Sequence, residues 1–399
     1  MSGKRKDKKG RILRTGESQR KDLIYQYRFT DIYGKRRTIY ASDLKELRKR
    51  EKEIQIQLEQ GIDYAAGQIT VNELLERYTG LKTGVRYNTR VGYDFVKNLV
   101  RQEEFGQRKI ADIKVSDAKQ WMLKLYNDGR GYSTLTSVRG VIKPAFQMAF
   151  DEDVIRKNPF VFKLTDVVPN NSKKRIAMTL AQQETWMKFI RTDSTYRTYY
   201  DEFVVLLNTG MRVSEFCGLT RKDLDFENRR IHVDHQLVRE RGGRYYVEKT
   251  KTKSGIRYIP MTDEVYDSLQ NILKKRPKLR PEPVVDGYRG FLLIDKNLNP
   301  KVALHIENEM RWALKKYNKL HPDNPLPNIT PHVFRHTFCT NMANAGMDIK
   351  TLQYLMGHSD VGVTLNVYTH ETYDHAAKQM AEIIDFKVLQ EQKKARKSG

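Results

Sequence analysis

Cysteine is nearly absent. Cys217 and Cys339 are the only two in 399 residues, and no CxxC pair occurs. That excludes a disulfide framework and a thiolate zinc site, and both residues suit small core positions in a reducing cytoplasm. No apolar run approaches the roughly 18 residues of a membrane span. The start, "MSGKRKDKKG", is basic and lacks the apolar stretch of a secretory signal. A glycine-lysine phosphate loop is also missing, so nothing supports an ATP-driven activity, and no internal repeat is apparent. Acidic residues are the remaining shortage: 49 Asp and Glu face 73 Lys and Arg, for a net charge of +24 and a pI near 9.7. Such an imbalance selects a polyanionic partner, most often nucleic acid. Its distribution is uneven, because the first 40 residues hold 13 Lys or Arg and 4 Asp or Glu.

What is present falls into segments of different texture. "LIYQYRFTD" and "RRTIYAS" read as strands turning through "IYGK", with Arg28, Arg36 and Arg37 interspersed among Tyr25, Tyr27 and Tyr40. Leu44, Leu47, Ile54 and Leu58 then recur at helical spacing up to Gly61. This predicts a sheet-plus-helix module with one basic face, a shape that suits the DNA major groove. From Ile69 to "RKNPF" the pattern is helical: "TVNELLERY", "NTRVGYDFVKNLV", "SDAKQWMLKLYNDG" and "STLTSVRGVIKPAFQMAF". Ser116 is the expected N-cap of the third, Gly129 lies beyond its end, and Pro144 should kink the fourth. A Pro-, Asn- and Lys-containing stretch follows without periodicity, and Thr179 with Gln182 forms a capping box opening a mixed region. That region holds helices "YDEFVVLLN" and "VSEFCGL", strands "RRIHVD", "YYVEKTK" and "IRYIPM", then more helices. The fold class is therefore multidomain and mainly α with small β-sheets (α+β). The expected divisions are 1–66, 67–168, a linker 169–178, a mixed α/β domain 179–385 and a basic tail 386–399.

The stretch "PHVFRHTFCT" concentrates potential chemistry. His332 and His336, four apart on a helix, could grip a metal, whereas His332 and Arg335, three apart, share a face suited to a phosphate. The metal reading lacks a carboxylate after the first histidine, and Arg335 next to His336 would repel a dication. Phe334 and Phe338 supply an apolar stripe that would bury the helix. Elsewhere, Arg212 stands at a helix junction with Glu215 three residues on, and "LQYLMG" ends a helix just before His358, ten residues ahead of Tyr368.

"TGMRVSEFCGL", "TKTKSGIRYIP", "TPHVFRHTFCT" and "LMGHSDVGVTLNVYTH" together resemble the tyrosine recombinase (phage integrase) family. The resemblance spans about 200 residues, Thr179 to roughly His375, with every motif in order. The earlier segments resemble the arm-binding and core-binding domains of its lambda-like branch, and the whole chain looks most like integrases of conjugative transposons. The resemblance implies Arg212, Lys251, His332, Arg335, His358 and the nucleophile Tyr368 as catalytic residues. In the lysine hairpin, Lys253 stays open as the alternative to Lys251. The usual Thr-Thr before the nucleophile reads Val363-Thr364. The implied activity is site-specific integration and excision through a covalent 3′-phosphotyrosine, with neither cofactor nor metal. A type IB-like topoisomerase is the alternative. Implied partners are double-stranded DNA with core-type and arm-type sites, a homotetramer on DNA and an accessory excision factor. The helical spacing of Met380, Ile383, Ile384, Phe386 and Leu389 leaves open a terminal helix docking in cis or on a neighbouring copy. Neither a membrane partner nor a location outside the cytoplasm is expected.

Overall fold

The structure is a computed structural model that describes residues 5–31, 34–59, 66–172, 176–250, 253–368 and 380–381; at 57, 253 and 366–368 it describes the backbone alone. The chain divides into two compact units, residues 1–173 and 174–399.

In the first unit, β1 (Glu17–Gln19), β2 (Tyr25–Thr30) and β3 (Arg36–Ala41) form an antiparallel sheet in that order. Strand alternation decides its two faces. Tyr25, Tyr27 and Phe29 pack beneath Leu44, Leu47 and Ile54 of α1 (Leu44–Glu59). Opposite them, the cross-strand pairs Arg28–Thr38 and Thr30–Arg36 are exposed, so Arg28 and Arg36 share the expected basic face, whereas Arg37 sits across from Phe29 on the other face and donates to Asp31 at 3.0 Å. Sequence pattern alone missed β1, which is short and polar.

A separate core joins α2 (Val71–Gly80), α3 (Tyr87–Arg101), α4 (Val115–Asn127) and α5 (Tyr132–Asp151) around Phe105, Trp121, Phe146 and Phe160. Thr70 caps α2 reciprocally with Glu73. The expected Ser116 cap is corrected: α4 begins at Val115, and the Asp117 carboxylate accepts the Lys114 amide at 2.8 Å. A carboxylate in the first turn reaches back to that orphan donor, so Ser116 falls inside the helix. Gly129, at φ 87°, does close the turn after α4. The helix α5 continues across Pro144 to Asp151.

The second unit starts at α6 (Leu180–Thr192), whose Thr179–Gln182 capping box matches the expectation. Next come α7 (Tyr200–Thr209) and α8 (Val213–Gly218). Apolar nearly all round, α7 is the central helix of the core, with Phe203 edge-on to Phe334 at 6.1 Å. Strands β4 (Leu224–Asp225), β5 (Arg230–Val233), β6 (His235–Arg239), β7 (Tyr245–Lys249) and β8 (Arg257–Pro260) follow. β4, β5 and β8 form one antiparallel sheet, whereas β7 pairs with β6 as a separate hairpin. The remaining elements are α9 (Asp263–Lys275), β9 (Val284–Val285), β10 (Tyr288–Arg289), α10 (Ala303–Leu320), α11 (Pro331–Asn344), α12 (Ile349–Met356) and α13 (Val361–Tyr368). Among the described residues no helix is long and apolar enough to cross a membrane.

Candidate active site

Two helix ends and one strand assemble the site. Helix α7 stops at Gly210, whose φ of 61° is the left-handed conformation that favours glycine. A β-carbon there would strike the Phe338 ring. Helix α12 stops in the same way at Gly357, φ 59°, where a β-carbon would sit 3.0 Å from Arg257 Nη1. Both stops leave carbonyl groups at the negative ends of helices, and arginines occupy them. Arg335 donates from Nη1 to the Gly210 carbonyl at 2.6 Å and from Nη2 to the Met356 carbonyl. Arg212 donates from Nη2 to the Gly357 carbonyl at 3.2 Å.

The helix α11 is placed so that Arg335 points inward. Thr330 caps it, accepting from the Val333 amide at 3.2 Å, and Pro331 occupies the first turn. Phe334 then enters the main core against α7, and Phe338 enters a second cluster with Leu352 and Met356 of α12. The predicted apolar stripe thus locks α11 between the two helix ends that Arg335 bridges. Burial, then repulsion from Arg212, lowers the Arg335 guanidinium to about 9, so it stays charged at neutral pH. His332, by contrast, is exposed in the first turn of α11, so the predicted pair divides between surface and interior.

Glu215 organises the arginines. Its carboxylate accepts the Arg212 amide at 2.9 Å and Arg212 Nη1 at 2.7 Å, as the three-residue spacing predicts. It also accepts Arg257 Nη2 at 2.8 Å and Nη1 at 3.3 Å. Arg257 is 1% exposed and further donates to the Leu355 carbonyl at 2.7 Å, tying β8 to α12. Sequence reasoning missed Arg257. The signal was its position two residues before Ile259 on the buried face of β8, where a charge demands a buried partner.

Burial alone would raise the Glu215 carboxyl, but Arg257 and then Arg212 bring it from 4.5 down to about 2. A depressed carboxylate stabilises the folded chain fully above the unfolded value and loses that contribution as pH falls toward the folded one. The shift corresponds to roughly 3 kcal/mol, exhausted between about pH 4.5 and 2. We therefore expect Glu215→Gln to lower urea stability at pH 7 by about 3 kcal/mol, because it strands two guanidinium groups. The parent–variant gap should shrink as pH falls to 3; a pH-independent gap would show that ionisation of Glu215 is not its source.

His358 follows Gly357 directly, and its Nδ1 lies 3.0 Å from the Thr364 hydroxyl of α13. Burial, then the charges of Arg335, Arg212 and Arg257, push the ring down to about 4, leaving it neutral at physiological pH. The structure thus brings together Arg212, Arg335 and His358. Lys251 lies outside the described residues. Lys253 and Tyr368 are described by backbone alone, in the turn Lys253–Gly255 and at the end of α13. Among the described residues, the one trio able to ligate a cation is Asp223, Asp234 and His235, which includes neither His332 nor His336. A cavity of about 550 Å³ lies elsewhere in this unit, bordered by Tyr199, Glu202, Lys301, Glu309 and Trp312.

Three guanidinium groups around a single carboxylate leave a fixed positive excess, which can take up the charge a phosphoryl group gains on nucleophilic attack. In a mixed α/β unit beside a neutral histidine, they form a cationic site suited to a phosphodiester. Comparison with known proteins makes this specific. Residues 177–375 match the phage integrase family, and residues 1–60 match the DNA-binding domain of Tn916 integrase. The transposase of transposon Tn916 from Enterococcus faecalis is 41% identical over 396 residues, covering 96% of this chain and 97% of its own. The Tn1549 transposon integrase, solved in complex with a circular intermediate DNA, superposes with a TM-score of 0.75 at 43% identity, covering 79% of this chain and 99% of that one. A lambda integrase dimer bound to a core site shares the fold, with a TM-score of 0.55 at 16% identity over 91% of this chain and 97% of that one. The chain belongs to the phage integrase family, the tyrosine-type site-specific recombinases, alongside the integrases of conjugative transposons.

Proposed function

We propose that this recombinase integrates and excises a mobile DNA element by cutting and rejoining strands through a 3′-phosphotyrosine on Tyr368. The observation that carries the reading is the excess of three arginines over one carboxylate, held rigid by the carbonyls of Gly210, Leu355, Met356 and Gly357. Arg212 and Arg335 hold the non-bridging phosphate oxygens, and His358 donates a third hydrogen bond. Tyr368 is a weak nucleophile, since a free phenol sits about three units above pH 7, a deficit of roughly 4 kcal/mol. His332 takes its proton as the phenolate oxygen attacks phosphorus. The bond to the 5′-oxygen breaks, and Lys251, with Lys253 as the alternative, delivers the proton that completes the 5′-hydroxyl. The phosphotyrosine conserves the bond energy, so a 5′-hydroxyl from another strand reverses the step there, with no nucleotide cofactor and no metal.

Double-stranded DNA is the substrate. Residues 67–168 and 179–385, joined by the linker 169–178, take the core-type site, while residues 1–66 take a distant arm-type site. Strand exchange requires four copies on DNA, with the segment around Met380 to Leu389 as a docking helix and an accessory protein favouring excision. All of this takes place in the bacterial cytoplasm. The type IB-like topoisomerase reading is less well supported, because the separate match to a transposon integrase DNA-binding domain has no counterpart in relaxing supercoils.

A nicked suicide duplex bearing the element's core site tests the scheme. The full chain should form a covalent adduct in excess EDTA, since guanidinium groups supply the positive charge at phosphorus. A chain lacking residues 1–66 should cleave that short duplex equally well but lose affinity for arm-type sequences and show a shallower salt dependence on long DNA. Cleavage that requires an added divalent metal would overturn the mechanism, and unchanged arm affinity would overturn the domain assignment.

A further inference from the structure

Thr364 is fully buried on α13, four positions before Tyr368 and one helical turn away along the same face. Five helical threonines in this protein commit their hydroxyl proton to the carbonyl four residues back. Thr79 donates to Leu75 at 2.7 Å, Thr136 to Tyr132 at 3.0 Å, Thr192 to Lys188 at 2.9 Å, Thr209 to Val205 at 2.6 Å and Thr340 to His336 at 3.0 Å. A hydroxyl committed in that way could only accept from a histidine N–H. Among the described residues, the Thr364 hydroxyl makes no such bond to the Asp360 carbonyl; its partner is His358 Nδ1, at 3.0 Å.

We propose that Thr364 gives its hydroxyl proton to His358 Nδ1 and thereby holds the ring in the tautomer with its single N–H on Nε2. Thr364 is then a positioning residue for phosphate recognition. This rests on the reading of His358 as a phosphate donor. A neutral imidazole has one N–H, so the bond at one nitrogen decides the role of the other. With Nδ1 accepting from Thr364, Nε2 offers a proton to a phosphate oxygen. In the opposite tautomer Nε2 would turn a lone pair toward that oxygen and repel it. The same bond ties α13, the helix ending in Tyr368, to the residue that follows the α12 stop. One hydroxyl therefore couples placement of the nucleophile helix to the donor state of the phosphate site.

The test uses the full-length protein. Nitrogen-15 spectra of histidine-labelled protein, with His358 assigned by the resonances lost in His358→Ala, should show the Nε2–H tautomer in the parent and in Thr364→Ser. Thr364→Val, which keeps shape and removes the hydroxyl, should show a tautomer mixture. It should also slow single-turnover cleavage of the suicide duplex by about tenfold or more with unchanged DNA affinity, and Thr364→Ser should recover most of that loss. An Nδ1–H tautomer in the parent, parental cleavage by Thr364→Val, or no recovery in Thr364→Ser would each overturn the proposal. If Thr364→Val does not fold, the parental tautomer and the serine variant still decide it. His358→Ala separates the two levels: parental cleavage by that variant refutes the donor role of His358, whereas slow cleavage beside an unaffected Thr364→Val refutes only the positioning role.

Discussion

Tyr368→Phe should form no covalent adduct on the suicide duplex while binding it within about twofold of the parent affinity, since one hydroxyl is lost. The effect is all-or-none because the missing oxygen is the atom that would bond phosphorus. No neighbouring group can substitute by degrees. The nearest alternative along the chain, Tyr373, lies outside the matched motif and outside the described residues. Peptide mapping of the parent adduct should place the nucleotide on Tyr368. An adduct surviving in Tyr368→Phe, on any residue, would remove Tyr368 from the mechanism.

Arg335 carries the second large expectation. Its side chain spans the Gly210 and Met356 carbonyls, so its position is set by two helix ends rather than by a flexible surface contact. Arg335→Ala should reduce single-turnover cleavage by about 100-fold to 1,000-fold, the usual cost of removing a preorganised donor from a developing oxyanion. It should also destabilise the fold, because two buried carbonyls lose their donor. Arg335→Lys discriminates more sharply. An ammonium retains the charge but cannot present a planar fork to two carbonyls and a phosphate together. We expect Arg335→Lys to stay far below the parent in cleavage while binding DNA with similar affinity. Parental cleavage by that variant would mean that charge suffices and the fork is irrelevant.

Much of this architecture was legible in the sequence, for physical reasons that differ by element. Alternation of Tyr25 and Tyr27 with Arg28 gave β2 its two faces, and the Thr179–Gln182 pair gave α6 its start, because both signals are local. Gly357 announced the end of α12 because few other residues accept that backbone. The strand β6 was missed, and so "YYVEKTK" was not seen to belong to a hairpin apart from β5 and β8. Pairing partners are set by tertiary context, which a single strand's pattern does not contain. Ser116 misled because any serine near a helix start resembles a cap, and Asp117 won through the stronger acceptor. In the site, Arg212 and Glu215 could be paired from spacing alone. The distant members could not: Arg257 and Glu215 are 42 residues apart, and the carbonyls that hold the arginines carry no side-chain signature.

Gly210 and Gly357 bring out a vulnerability that a roll of catalytic side chains would hide. Arg212 and Arg335, the two arginines proposed to hold the phosphate, are each seated on main-chain oxygen exposed by a left-handed turn, and each turn is crowded where a side chain would begin. An alanine at either glycine would keep every reactive group in the gene yet dislodge the seats on which the groups depend. Gly210→Ala and Gly357→Ala are therefore expected to lose cleavage of the suicide duplex with all the proposed catalytic residues intact, and parental cleavage by both would show that the seats do not matter.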